Sequence, residues 1–433
     1  MGRIWMSQVV TAIADIGRQY FDRPSNRSAI ETARRLCDDL LSDHGEASGT
    51  ALAREVVNLF RTMEAPDRMA FLQMLNDDYA YDPEALRKAA ENYLSDESQK
   101  SYEALCNTVE APRQELLRRM NIAPGGTGAI LVMREFLLQI IPDHPEMKAL
   151  DTDIRHLFTS WFNRGFLQFE RIEWRTAAAI LEKLIAYEAV HEIKGWDDLR
   201  RRLADDRRCF AYFHPALADE PLIFVEVALT NGLADRIQPL LEAAPATDGE
   251  LKPNTAVFYS ISNCQFGLTG ISFGNLLIKQ VVDALSAELP SVQNFATLSP
   301  IPGFVDWLDR IVREEPPEFL TEDERDGFRM SDWLQNEIMR QKLQKPLMRL
   351  CAIYLTSLTP HGQAIDPVAR FHLGNGASIE RINWAGDLSE KGLAQAAGLM
   401  VNYTYAPDEI IANHEAYVGN GEIALSGKVR ALL

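Results

Sequence analysis

Ser260 to Lys279 reads SISNCQFGLTGISFGNLLIK. The run that leads into it, Thr255 to Ile261 (TAVFYSI), has the Val, Ile, Phe and Tyr content of a buried strand. Glycines follow at 267, 270 and 274, and then Leu276, Leu277, Ile278, Val281 and Val282 mark the apolar side of a helix. The order is strand, glycine-rich turn, helix. Glycine lets the main chain turn tightly and approach a ligand, and a helix N-terminus offers unpaired N–H groups to an anion. Thr269, Gly270, Ile271, Ser272, Phe273, Gly274 and Asn275 therefore suit a diphosphate cradle, or equally a plain strand–turn–helix connection. The segment has neither the Lys-Ser/Thr ending of a Walker loop nor the spacing of a dinucleotide fingerprint.

Outward from this segment the texture divides the chain. Residues 1–162 read as helix, with Ile130, Met133, Leu137, Ile140 and Ile141 as one apolar stripe, a capped start at Asp82-Pro83-Glu84 and a break at Asn121–Gly126. This half offers packing or oligomerisation and shows no acid–base pair. Residues 163–206 still read as mostly helical, a linker with Leu181, Leu184 and Ile185 as its apolar face. Beyond it come strand-like runs at Cys209–His214 (CFAYFH), Leu222–Leu229 (LIFVEVAL) and Ser378–Trp384 (SIERINW), with helical patterns at 276–289 and 304–312. The expected class is α+β: an all-α domain over 1–162, then a domain over 163–433 around a central mixed sheet. The acidic stretch 314–326 (EEPPEFLTEDERD) reads as a solvated loop.

Charge and cysteine usage narrow the function. An excess of 18 negative charges over 433 residues argues against nucleic acid and against a membrane surface held by basic patches. No run approaches the ~18 apolar residues of a membrane helix, and the N-terminal residues lack the pattern of a secretory signal. Five scattered cysteines with no CxxC pair fit a reducing cytoplasm. The eight histidines show no HxH or HxxxH spacing, so no metal site is expected.

Two further strings carry polar chemistry. In Thr297–Phe304 (TLSPIPGF) two prolines hold Ser299 in a rigid extended turn, where it either orients a substrate carbonyl or carboxyl or caps the following turn. In Arg370–Ala377 (RFHLGNGA) His372 stands between apolar residues before a glycine turn, either as a core histidine or as a reactive one.

Taken together, FYSIS (258–262), GLTGISFGNLLIKQVV (267–282), LSPIPGF (298–304), DPVARFHLGNGA (366–377), RINW (381–384) and GLMVNY (398–403) resemble malonyl-CoA decarboxylases, and WFNRGFLQFERIEW (161–174) does so as well. The resemblance implies a helical domain that makes a dimer or tetramer and a catalytic domain with an acetyltransferase-like (GNAT-type) fold. It implies that the glycine segment holds the CoA diphosphate and that Ser299 and His372 are catalytic. A supporting lysine of the family falls near Lys183 by a looser match, while Tyr259 and Asn383, polar residues near the same motifs, read first as structural and second as supporting residues. Many members have a glutamate where Ser272 stands here, so no role of that glutamate carries over. The implied reaction turns malonyl-CoA into acetyl-CoA and CO2 through an enolate. It needs no cofactor, because the thioester itself accepts the electrons. A CoA-dependent acyltransferase on the same cradle is the alternative.

Overall fold

The structure, a computed structural model, describes residues 28–42, 46–242, 252–271, 277–330 and 333–433. The chain forms two compact units. The first contains the residues up to Leu167 together with His214–Ala218 and Gln265–Ser272; the second contains Gln168–Phe213, Asp219–Cys264 and Phe273–Leu433.

In the first unit, helices follow one another from Ala29–Leu41 to Lys148–Trp161. Asp82 caps the helix Pro83–Ser95 by accepting from the N–H groups of Glu84 and Ala85, as the acid–proline signal requires. Ile130, Met133 and Leu137 are fully buried, with Phe60, Phe71, Leu116 and Phe158, as the apolar stripe predicts. The first part of the glycine segment also belongs here. Arg134, 1% exposed, pairs with Asp151 at 2.8 Å and donates to the carbonyls of Gly267 at 2.6 Å and Thr269 at 2.9 Å. Gly267 sits so close to the helix Gly126–Ile140 that a Cβ there would lie 2.5 Å from the Leu131 carbonyl oxygen.

Among the described residues the second unit is built on seven strands. These are β1 (Gln168–Ile172), β2 (Arg207–Phe213), β3 (Pro221–Thr230), β4 (Thr255–Asn263), β5 (Asn294–Thr297), β6 (Ser378–Asn383) and β7 (Met400–Thr404), in the sheet order β1-β2-β3-β4-β5-β7-β6. Neighbours are antiparallel except β4 and β5, which are parallel. A parallel pair needs a crossover, and the helix Leu277–Glu288 supplies it. The expected α+β class, with a mixed sheet after a helical region, is the class observed. Apart from Thr230 at its end, β3 is buried throughout, which explains why its sequence is a near-continuous apolar run.

Two expectations need correction. The stretch 163–206 is not mostly helical: its α-helices span only Ala178–Tyr187 and Trp196–Arg202, and it contains β1. This is an edge strand paired only with β2, and its mostly polar, exposed residues hide the period of two; Phe169 betrays it by stacking on Phe210 across the pair at 5.1 Å. The acidic stretch is not all loop, because Glu322–Arg329 is a helix. Thr321 and Glu324 form its capping box, a start signal hidden among the charges.

The sheet splits in the middle. Pairing of β4 with β5 ends at Phe258 and Thr297, with one further bond from Leu298 N–H to the Phe258 carbonyl at 3.0 Å. Beyond that point β4 continues with β3 alone. Ser299 instead pairs with Val401 of β7, N–H to carbonyl in both directions at 2.8 and 3.0 Å. Pro300 and Pro302 have no N–H to continue a ladder, so the chain turns away. The split opens at the carboxyl ends of the two parallel strands, the side on which open sheets with parallel strands bind ligands.

Candidate active site

A cavity of about 260 Å³ occupies the split. Phe258 and Ile261 from β4, Pro300 after β5, and Pro367, Val368 and Phe371 give it apolar walls; Ser299 and His372 supply polar groups. The last three wall residues and His372 lie on one short helix, Pro367–Gly374. Asp366 caps that helix, accepting from Ala369 N–H at 2.7 Å, and Pro367 occupies its first position. At its other end Gly376 has φ +84°, and a Cβ there would meet the Ile410 carbonyl oxygen at 2.1 Å. The glycine of the FHLGNGA string is therefore a steric necessity that lets the chain leave the helix and enter β6.

Ser299 and His372 meet. The Oγ of Ser299 lies 3.0 Å from Nε2 of His372, although 73 residues separate them in the chain. Ser299 does not cap the following helix, Phe304–Glu314, whose N-cap is Gly303. Its hydroxyl also donates to Oγ1 of Thr297 at 2.8 Å. The other ring nitrogen, Nδ1, is 2.8 Å from the Tyr405 hydroxyl. His372 is 3% exposed, and burial lowers its pKa from 6.5 to about 3. The ring is therefore neutral at physiological pH and works as a hydrogen-bonding bridge between two hydroxyls, not as an imidazolium.

Comparison with known proteins gives this site its context. Residues 165–433 match the malonyl-CoA decarboxylase C-terminal domain and residues 79–162 the N-terminal domain. The chain belongs to the malonyl-CoA decarboxylase family. The malonyl-CoA decarboxylase structure from Rhodopseudomonas palustris is similar at 47% identity and a TM-score of 0.88, covering 94% of this chain and 100% of that one. The structure from Agrobacterium vitis matches at 49% identity and a TM-score of 0.86, over 92% of this chain and 99% of that one. The mitochondrial malonyl-CoA decarboxylase of Anser anser anser is 35% identical over 87% of this chain and 82% of its own length.

The other residues singled out in the sequence fall into place unevenly. Tyr259 borders the cavity, but its ring packs with Val257, Leu298 and Met400, and the charges that act on its hydroxyl are those of Glu226, Arg202 and Arg207. Asn383 is buried and donates to Asn402 Oδ1 at 2.9 Å; Asn402 in turn donates to the Thr297 carbonyl at 2.7 Å, so Asn383 supports the strand that carries the serine. Lys183 pairs with Glu220 and donates to the Asp219 carbonyl, and it does not line the cavity. Of the cradle, Thr269, Gly270 and Ile271 are described, while Ser272, Phe273, Gly274 and Asn275 lie outside the described residues. Among the described residues no three His, Cys, Asp or Glu side chains gather as metal ligands, and no helix is long and apolar enough to cross a membrane.

Sequence reasoning missed Thr297 and Tyr405. A signal for Tyr405 was present: Val401, Tyr403 and Tyr405 alternate on one face of β7 and its extension, and both tyrosines touch His372.

Proposed function

We propose that the Ser299–His372 pair, with Tyr405 behind it, carries the decarboxylation of malonyl-CoA to acetyl-CoA and CO2. The observation that supports this most is their 3.0 Å contact at an apolar cavity in a member of this family. Loss of CO2 breaks the bond between Cα and the carboxylate, and the electron pair flows into the thioester to form an enolate. A low-dielectric wall of Phe258, Ile261, Val368 and Phe371 disfavours the compact charge of the carboxylate more than the spread charge of the enolate. Ser299 turns its hydroxyl toward the acyl group and holds the carboxylate out of the carbonyl plane.

The enolate then needs one proton at Cα. Ser299 gives it, Nε2–H of His372 refills Ser299, and Nε2 regains a proton from water that enters the cavity as the products leave, while the Tyr405 hydroxyl donates to Nδ1 throughout. The ring returns to the tautomer it started from, so the cycle closes. His372 thus acts as a proton donor through Ser299 without ever becoming a stable cation. The split also leaves the β4 main chain beyond Phe258 without β5 beside it, which suits pairing with the extended amide arm of a CoA thioester.

The helical unit shows Tyr81, Leu94, Tyr102 and Val109 to solvent, which supports self-association there. All five cysteines are free thiols, as a reducing compartment such as the cytoplasm allows. The deciding assay supplies purified protein with malonyl-CoA and no acyl acceptor, with and without a chelator. Release of CO2 with stoichiometric acetyl-CoA supports the reading; acyl transfer that occurs only when an amine acceptor is added favours the acyltransferase.

A further inference from the structure

Resting on the reading above, we propose that Thr297 is a positioning residue that fixes the direction in which protons are donated through the site, holding His372 as its Nε2–H tautomer. A serine hydroxyl has one proton, and that of Ser299 is given to Thr297 Oγ1. Its oxygen can then only accept from His372, so Nε2 carries the ring proton across the 3.0 Å contact. A neutral imidazole has one N–H. Nδ1 is therefore bare, and it accepts from the Tyr405 hydroxyl at 2.8 Å. The donors run one way: Tyr405 to His372 to Ser299 to Thr297.

Thr297 is well held for this task. It is fully buried at the end of β5. Its Oγ1 accepts from Tyr403 N–H at 3.1 Å, and its carbonyl accepts from Asn402 Nδ2 at 2.7 Å. A β-branched side chain in a strand has few χ1 choices, so Oγ1 stays where Ser299 finds it. The arrangement parks the reactive proton. When an acyl anion forms in front of Ser299, rotation about one C–O bond turns the hydroxyl from Thr297 to the carbon, and every proton behind it already points the right way. With Thr297 silenced, the hydroxyl has only Nε2 left to donate to. The ring proton then moves to Nδ1 and the chain of donors reverses, away from the substrate.

The test is a ¹H–¹⁵N correlation spectrum of the histidine rings in the full-length protein, with the His372 signals identified by their loss in His372→Gln. The wild type shows a protonated Nε2 and a bare Nδ1. Thr297→Val shows the opposite tautomer, with kcat lowered about tenfold or more and KM changed far less, a share of the ~10²–10⁴ that positioned proton transfer contributes. Thr297→Ser recovers the tautomer and most of the lost turnover. A wild-type ring protonated at Nδ1 overturns the proposal even if the valine variant does not fold. So does a folded Thr297→Val enzyme with the wild-type tautomer and unchanged kcat. A wild type with the expected tautomer but no CO2 release overturns the decarboxylase reading instead and leaves the tautomer assignment standing.

Discussion

The ring of Tyr403 lies over the ring of His372, with centroids 4.5 Å apart and planes 27° from parallel. Phe371 and Tyr405 approach the same imidazole edge-on, with centroids at 5.2 and 6.2 Å. The last turn of a helix favours a cation by ~0.3–1 kcal/mol and a ring face attracts one, but the loss of solvent costs a charged ring more, and burial brings the pKa to about 3. The sign of the linkage follows. The unfolded histidine titrates near 6.5 and the folded one near 3, so between these values the unfolded chain binds a proton that the folded chain does not. The contribution of His372 to stability is complete above pH 6.5 and is lost as pH falls toward 3. Relative to His372→Gln, the wild type should lose about 1.4 kcal/mol for each pH unit between 6 and 4. Urea denaturation at several pH values measures it, and parallel stability curves for the two proteins would show that the ring is freely protonated.

Tyr403 and Tyr405 invite the same substitution with opposite outcomes. The Tyr405 hydroxyl contacts Nδ1, whereas the Tyr403 hydroxyl is buried without a hydrogen-bond partner among the described residues. Tyr405→Phe should lower kcat about tenfold to a hundredfold, the loss of a bond worth ~1.5–3 kcal/mol in the transition state. Tyr403→Phe keeps the stacked ring and removes an unsatisfied group, so turnover should stay close to wild type and Tm should hold or rise. Equal losses in both variants would point to general disruption of β7 and count against the relay.

Ser299→Ala should cost about tenfold to a hundredfold in rate through the lost hydrogen bond. His372→Ala should cost more, up to the ~10²–10⁴ typical of positioned proton transfer. The two residues act in one relay, so the double variant should be little worse than His372→Ala alone. Steady-state kinetics with malonyl-CoA decides this; fully multiplicative losses would mean that the two act independently.

Much of this site can be read from its local sequence, and the reason is rigidity. Two prolines constrain Ser299 regardless of tertiary context, and three apolar strand runs announce a buried sheet because β2, β3 and β4 are covered by other elements. The parts that stay hidden depend on chain-distant contacts. The edge strand β1 is mostly exposed, so its alternation is blurred. Thr297 and Tyr405 matter only because β5 and β7 lie side by side, and nothing within either string indicates that pairing. The neutral state of His372 was also hidden: the sequence allows an imidazolium, and the burial that excludes one exists only in the folded chain.

Asp366 offers the last test, because it holds the helix that presents His372. One oxygen accepts from Ala369 N–H, and the Tyr354 hydroxyl also acts on the carboxyl. The residue is fully buried, and burial raises its pKa from 3.8 to about 6, against the opposing pull of its backbone and Tyr354 hydrogen bonds. For an acid raised in this way the fold binds a proton more tightly than the unfolded chain does. Stability is therefore greatest below pH 3.8 as far as this group is concerned, and it falls as pH rises through 6. Asp366→Asn keeps an oxygen for the cap and carries no charge at any pH. Its lead over the wild type should grow as pH rises from 3.8 through 6 and be larger at pH 8 than at pH 5, with His372 still in place and turnover largely retained. Asp366→Ala should lose the cap, at a cost of ~0.5–2 kcal/mol, and loosen the His372 helix along with it. Thermal melts at pH 5 and pH 8 separate the cases: an asparagine variant less stable at pH 8 than the wild type would show that the carboxylate is ionised and well solvated by its neighbours.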